Sequence, residues 1–496
     1  MIELNGSLSI EDVVTVACES ERIALASNAA AKMRETRDVV ASIVETNEQQ
    51  VYGLNTGFGK LQDVAISKDN LKALQENIVR SHAAAVGDPA PVPVVRAAML
   101  SRANTLSAGR SGVRPALVEQ FVALLNADIH PLVPLGGSTD DLGANAHFAR
   151  ALLGEGRVEY QGKEVDAADA LADAGIEPLS LAPKEGLSTL SGTPVMTGLL
   201  VIALNDVQTL LTAADTVAAL TFSLIGNCPE TFEKRVLADR PQQGHQTAAR
   251  NIRCLLSDNV GIERMEQDPL SLRLVPQIHG TTRMQTEHVR DVVETELESV
   301  TDNPLVYPDG SLVSCGNFNG QPLAESADQL SRSLTKLTEA SEQRTHKLLH
   351  DDAVPAPFLA DNPGIESGLM IAHYTATGLV TESRLVDSAS DHSVVVSGGQ
   401  EDVHSMGTIS ARNLHNAVER VSLVFAIELL VAVQFASLDD DPPLSDELTE
   451  IVDAVSETVT LPDGDVHLHD KTETLAGLLR EGFVDDIVGD AETARC

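Results

Sequence analysis

VMTGLLVIALNDVQTLLTAADTVAALTFSLIG (residues 195–226) is the stretch whose reading decides the fold. It holds the longest apolar run of the chain, yet Asn205, Asp206, Gln208 and Asp215 interrupt it. Lipid offers such side chains no partner, so the run predicts a long helix buried in a protein core and not a membrane span. Further helical candidates follow at 230–256, 282–300, 323–350, 363–388 and 409–436. Shorter ones precede it at 66–85, 91–107 and 113–126, with apolar positions recurring every three or four residues. Asn303-Pro304 and Pro355-Ala356-Pro357 punctuate the series. Residues 158–166 (VEYQGKEVD) predict a short hairpin that feeds a helix from about Ala167. Long helices with short connections make a bundle. The expected fold is mainly α: a smaller N-terminal region over 1–190, a central long-helix bundle over 191–438, and a short C-terminal helical segment over 439–496 that opens at the acidic DDDPP (Asp439–Pro443).

The chain of 496 residues is 43% hydrophobic, enough for a sizeable core. Its 73 acidic against 35 basic residues give a formal charge of −38, spread along the whole length. That field argues against nucleic acid or an anionic membrane as partner. It fits an acidic surface adapted to high salt, where screening suppresses self-repulsion. Five scattered cysteines (Cys18, Cys228, Cys254, Cys315, Cys496) suggest neither a disulfide framework nor a zinc ribbon. With no secretory signal in MIELNGSLSIEDVV, a cytoplasmic location is expected. DGDVHLHD (Asp463–Asp470) reads as a solvated acidic loop, and no metal site is expected. P-loop, dinucleotide-binding and nucleophile-elbow motifs are all missing.

Several separated motifs carry more information. They are YGLNTGFGKL (Tyr52–Leu61), LQENIVRSHAAAVG (Leu74–Gly87), RANTLSAGRSGVRP (Arg102–Pro115), HPLVPLGGSTDDLGANAH (His130–His147) and EGLSTLSGT (Glu185–Thr193). QDPLSLRLVPQIHG (Gln267–Gly280), TDNPLV (Thr301–Val306), SCGNFNG (Ser314–Gly320) and SGGQEDVHSMG (Ser397–Gly407) follow. Together they resemble, almost end to end, the histidine and aromatic amino acid ammonia-lyases. The family forms are YGVNTGFG, LQ-x-NL-x-x-SHAAG-x-G, HP-x-VP-x-x-GSVGASGDLAPLAH, EGLALINGT, QDPYSLRC-x-PQ-x-x-G, DNPL, SGGNFHG and S-x-NQEDHVSM. The resemblance implies a long-helix bundle of the ammonia-lyase (fumarase/aspartase-like) type, with the active site drawing heavily on residues 1–190. It also implies a homotetramer whose sites take residues from several subunits, and a carbon–nitrogen lyase acting on a small amino acid.

The resemblance also implies roles. Tyr52 corresponds to the tyrosine proposed as β-proton base. His82, which the pattern puts at a helix C-terminus where the dipole favours a cation, contacts the substrate imidazole in the histidine enzyme. Arg273, with its forked guanidinium, suits a substrate carboxylate. Gln267 opens the same motif, Phe318 matches the phenylalanine flanking the prosthetic group, and Gln400 and Glu401 line the pocket, with Glu401 facing the imidazole.

Three departures strike one function. In the family an Ala-Ser-Gly triad cyclises into the electrophilic methylidene-imidazolone (MIO) group. Here the segment between Pro134 and Asp141-Leu142 is three residues shorter, and the nearest substitute is Ser138-Thr139-Asp140. Ser191 stands in place of the asparagine that helps hold the amine, and Leu270 in place of the catalytic tyrosine. The group is therefore not expected to form, and no cofactor is expected. Without it an unactivated β-proton is too weakly acidic for a tyrosinate. The expectation is a MIO-independent lyase or related elimination or addition enzyme on a histidine-like or other small amino acid. The alternatives are an inert scaffold or regulatory homologue, and a histidine ammonia-lyase with an atypical Ser-Thr-Asp loop.

Overall fold

The computed structural model describes residues 1–46, 50–256, 267–350, 354–461 and 464–488. The chain is mainly helical, and four long helices dominate: Pro194–Ile225, Val275–Leu297, Gln321–His350 and Gly407–Ala436. The residues divide into two compact units. The first comprises Met1–Ala203, Val289–Asp328 and Ser388–His415; the second comprises Leu204–His288, Gln329–Asp387 and Asn416–Cys496.

Pro194–Ile225 confirms the reading of its sequence. Its most apolar window is long enough to cross a membrane by length and composition, but that window is wholly buried in protein. Asp215 sits in this buried helix because the second unit supplies partners. Asn251 Nδ2 lies 2.8 Å from it, His279 Nδ1 2.7 Å and Arg283 Nη2 2.5 Å. Burial alone would raise its pKa, but these neighbours outweigh burial and hold the carboxyl below its ordinary range.

In the first unit the shorter helices Leu71–His82, Val92–Ser107 and Pro115–Asn126 fall within their expected ranges. Prolines near the N-terminal ends of the last two supply the φ a helix start needs. The hairpin is Arg157–Tyr160 with Lys163–Asp166, running into the helix Ala167–Ala174. A small antiparallel pairing of Val86–Pro89 with Pro134–Gly136 positions the site, since its register sets Val86 opposite Gly136. The end of the His82 helix is thereby laid beside the segment that begins at Gly136.

Some expectations need correction. The single helix expected over 230–256 is three pieces, a 3-10 turn at Pro229–Phe232 and helices Lys234–Ala238 and Gln243–Leu255. Pro241 breaks the pattern, because it lacks an N–H and pushes Arg240 out of helical geometry. Candidate 363–388 shortens to Met370–Arg384, whereas 282–300 begins earlier, at Val275. In the acidic loop, Asp465 accepts hydrogen bonds from Ser367 N and Gly368 N, so part of DGDVHLHD ties two segments of the second unit; Asp463 lies outside the described residues. Cys254 is disulfide-bonded, where the scattered cysteines suggested no disulfide framework.

Candidate active site

Two segments far apart in sequence meet in the first unit. In the glycine-rich loop, Gly53 and Gly59 have positive φ (74° and 53°). At Gly59 any side chain would also collide with Ser397 Oγ. That close approach lets Lys60 N donate to Ser397 Oγ (3.2 Å) and Gln62 Nε2 to Gln400 Oε1 (3.2 Å). Tyr52 OH accepts from Gly59 N at 3.4 Å, and its ring meets Phe58 edge-on at 6.2 Å.

The titrating groups of these segments sense one another. Burial pushes the Tyr52 phenol above its ordinary pKa; the Gly59 hydrogen bond opposes this, and the Glu401 charge adds to it. His82 is the last residue of Leu71–His82, as expected, and its Nδ1 lies 2.8 Å from the Ile78 carbonyl. Its pKa is nevertheless lowered: burial outweighs both that carbonyl and the Glu401 carboxylate. The expectation of a cation held by the helix dipole is thus corrected in favour of a neutral ring. Glu401 thus lies within electrostatic reach of both Tyr52 and His82, and Tyr52 holds its proton tightly.

Residues 138–141 form a strap. The Ser138 hydroxyl donates to the Asp140 carbonyl. The Asp140 carboxylate accepts from His404 Nδ1 at 2.6 Å and from the Ser405 hydroxyl. Thr139 Oγ1 lies 3.5 Å from the same His404 nitrogen. Asp141, wholly buried, accepts from Val195 N (2.7 Å), Met196 N (2.9 Å) and Thr408 Oγ1 (2.8 Å). It thereby caps Pro194–Ile225 and reaches the first turn of Gly407–Ala436. Burial pushes its pKa up to about 7 against those hydrogen bonds.

Ser191 is buried just past the helix Glu185–Leu190, its N–H bonded to Leu187 O at 2.9 Å. Phe318 is 44% exposed in the loop before Gln321–His350. Gln267, Leu270 and Arg273 belong to the second unit. There Arg273 Nη1 donates to Gln267 Oε1 at 2.9 Å, and Leu270 opens the short helix Leu270–Arg273 with its side chain exposed. The first unit therefore sets Glu401 within reach of Tyr52 and His82 and ties Asp140 to His404 and Ser405, a few residues beyond Glu401, while the second pairs Gln267 with Arg273.

A family model described as aromatic amino acid lyase matches residues 8–457. The chain belongs to this family. It is 40% identical over 492 residues to the histidine ammonia-lyase of Symbiobacterium thermophilum, covering 97% of both chains. Among solved structures, it is similar to histidine ammonia-lyase from Trypanosoma cruzi (TM-score 0.91, 34% identity, 99% of this chain and 95% of that one). It is also similar to tyrosine aminomutase from Streptomyces globisporus (TM-score 0.93, 32% identity, 100% and 99%).

Against the family's prosthetic group, the residues of this chain do not fit. Ala-Ser-Gly occurs nowhere in the sequence. In the nearest substitute, Ser138-Thr139-Asp140, Thr139 takes the place of the dehydrating serine, and Asp140 takes that of a glycine whose backbone must close on its neighbour. The Asp140 side chain is moreover committed to His404 and Ser405. No role for His404, Ser405 or Thr408 was visible in the sequence, and Asp141, which with Asp140 could have suggested a metal pair, instead caps a helix. One signal was there: the family's QEDHVSM has histidine before valine, and this chain has Val403 before His404. The exchange leaves Val403 70% exposed and turns His404 inward.

Proposed function

We propose that this chain is a carbon–nitrogen lyase-like enzyme of the aromatic amino acid lyase family, most like the histidine enzymes, that works without a methylidene-imidazolone. Its substrate is a small amino acid with one carboxylate and a polar, imidazole-like head. The observation that carries the reading is that Tyr52 and His82 each feel the charge of Glu401, in a chain whose sequence holds no Ala-Ser-Gly. Glu401 and the neutral His82 would take the polar head, and Arg273 the carboxylate. Ser191, Leu270, Phe318 and Gln400 would shape the walls, in a homotetramer where subunits share sites. A phosphorylated substrate is disfavoured by the −38 charge.

Chemistry without the electrophile restricts the substrate. Tyr52 keeps its proton, so it is a poor resting base. The substrate must bring an acidified β-proton or a better leaving group, such as a quaternary nitrogen that departs as a neutral amine. The test has two arms. Intact mass should equal that of the unmodified chain; a deficit of two waters would overturn the reading. L-histidine, L-phenylalanine, L-tyrosine, L-aspartate and the trimethylammonium betaine of histidine should then be assayed at high salt for amine release and thermal stabilisation. Stabilisation by an imidazole-bearing compound is expected, and lost in Arg273→Met. The alternative, an inert homologue, draws on the commitment of Asp140 to structural ties; it predicts neither release nor stabilisation by any of the five.

A further inference from the structure

The ends of three long helices meet at the strap. Asp141 binds the first N–H groups of Pro194–Ile225 and reaches Thr408 at the start of Gly407–Ala436. Gly320 precedes Gln321–His350, and Gly320 and Gly407 both pack so closely on the end of the Met196 side chain that a side chain on either would have to displace it. Helix N-termini carry partial positive charge, so this corner suits negative charge. In this chain it holds two carboxyl groups, Asp140 and Asp141.

One of them faces an imidazole. His404 Nδ1–H points at Asp140 Oδ2 over 2.6 Å, and the His404 backbone N–H is fixed by Ser393 Oγ at 3.0 Å. The ring is 9% exposed, and its Nε2 is buried with no hydrogen-bond partner. A buried ring nitrogen left unpaired costs about 1–3 kcal/mol, so its persistence calls for a reason. An aspartate on Nδ1 selects the tautomer with a free lone pair on Nε2 and stabilises the imidazolium formed when that lone pair takes a proton.

We propose that His404, held by Asp140, is the proton-transfer group of this site: where relatives build an electrophile, this chain has installed a base. The inference rests on the function proposed above and names the group that moves the proton. Nε2 takes the acidified β-proton, and the C–H electron pair becomes the new C=C bond. The Cα–N bond breaks with its pair leaving on a neutral amine, and the imidazolium returns its proton to solvent. Asp140 is a positioning residue. Tyr52, which holds its proton, serves as a hydrogen-bonding wall.

The test uses the intact protein labelled with 15N in its histidines, L-histidine as probe, and His404→Asn to assign the signal by its loss. The His404 ring should show a protonated Nδ1 and an unprotonated Nε2, and L-histidine should move the Nε2 signal. Asp140→Asn should abolish the tautomer preference. The double exchange V403H/H404V, which restores the family's residue order, should weaken calorimetric binding of L-histidine by about tenfold, roughly the loss of one good hydrogen bond. Binding of L-histidine to the unaltered protein with an unmoved Nε2 signal would overturn the inference and leave the proposed function standing. Binding neither of L-histidine nor of its trimethylammonium betaine would overturn both. The labelled wild-type measurement does not depend on any variant folding.

Discussion

Asp141 is the residue whose ionisation should be felt most. Burial pushes its carboxyl up to about 7 in the folded chain, from the ordinary 3.8 of an aspartate. Between those values the folded protein holds a proton that the unfolded chain has released, so this group makes stability fall as pH rises from about 4 to about 7. Asp141→Asn retains an acceptor for Val195 N and Met196 N and removes the titration. Denaturant midpoints measured across that range should lose part of their slope in the variant; an unchanged slope would mean that Asp141 is ionised throughout. Asp141→Ala removes the acceptor as well. With two helix N–H groups and the Thr408 hydroxyl left without it, it should cost on the order of 2–4 kcal/mol at any pH.

At the scale of elements, the second unit turns on a backbone crossing. Helices Gln243–Leu255 and Val275–Leu297 approach so closely at Gly244 and Gly280 that a side chain on either would overlap the other's backbone or, for Gly280, His245 N. Gly280→Ala should therefore destabilise the protein by about 2–3 kcal/mol, read from the midpoint of chemical denaturation. Gly280 ends the QDPLSLRLVPQIHG motif, so one motif joins a candidate substrate residue, Arg273, to a packing residue. A single sequence does not separate the two purposes. Elements with strong periodicity and clear punctuation were legible, among them Pro194–Ile225 and the hairpin of residues 157–166. The break at Pro241 is masked in the sequence because apolar residues resume at helical spacing beyond it. The partners of Asp215 were invisible, since Asn251, His279 and Arg283 are brought to it only by tertiary packing. The same holds at the site. Tyr52, His82 and Glu401 could be picked out by motif, whereas the contact of His404 with Asp140 spans 264 residues and needed the fold to appear.

At the scale of the whole molecule, the formal charge of −38 sets the conditions of every measurement. Self-repulsion of this size is long-ranged in dilute buffer, where the screening length is about 10 Å, and short-ranged at 1 M salt, where it is about 3 Å. The thermal midpoint should therefore rise on the order of 10 °C between 0.1 and 2 M potassium chloride, with most of the gain in the first molar. Scanning calorimetry at several salt concentrations tests this, and a flat dependence would remove the assignment of the acidic surface to a high-salt habitat. Solvent-exposed pairs such as Arg157 with Glu164 should weaken over the same range. Buried ones such as Arg344 with Glu428 should not.

The strap of residues 138–141 also bears on maturation and chemical resistance. An enzyme that manufactures its own electrophile must cyclise and dehydrate its backbone after folding, and the finished group is an activated carbon open to attack by any small nucleophile. On the reading proposed here, Ser138–Asp141 stays ordinary peptide held by hydrogen bonds. The protein is then ready as soon as it folds, with no chemical lag between refolding and ligand binding. Cyanide and borohydride should leave its mass and its affinity for L-histidine untouched.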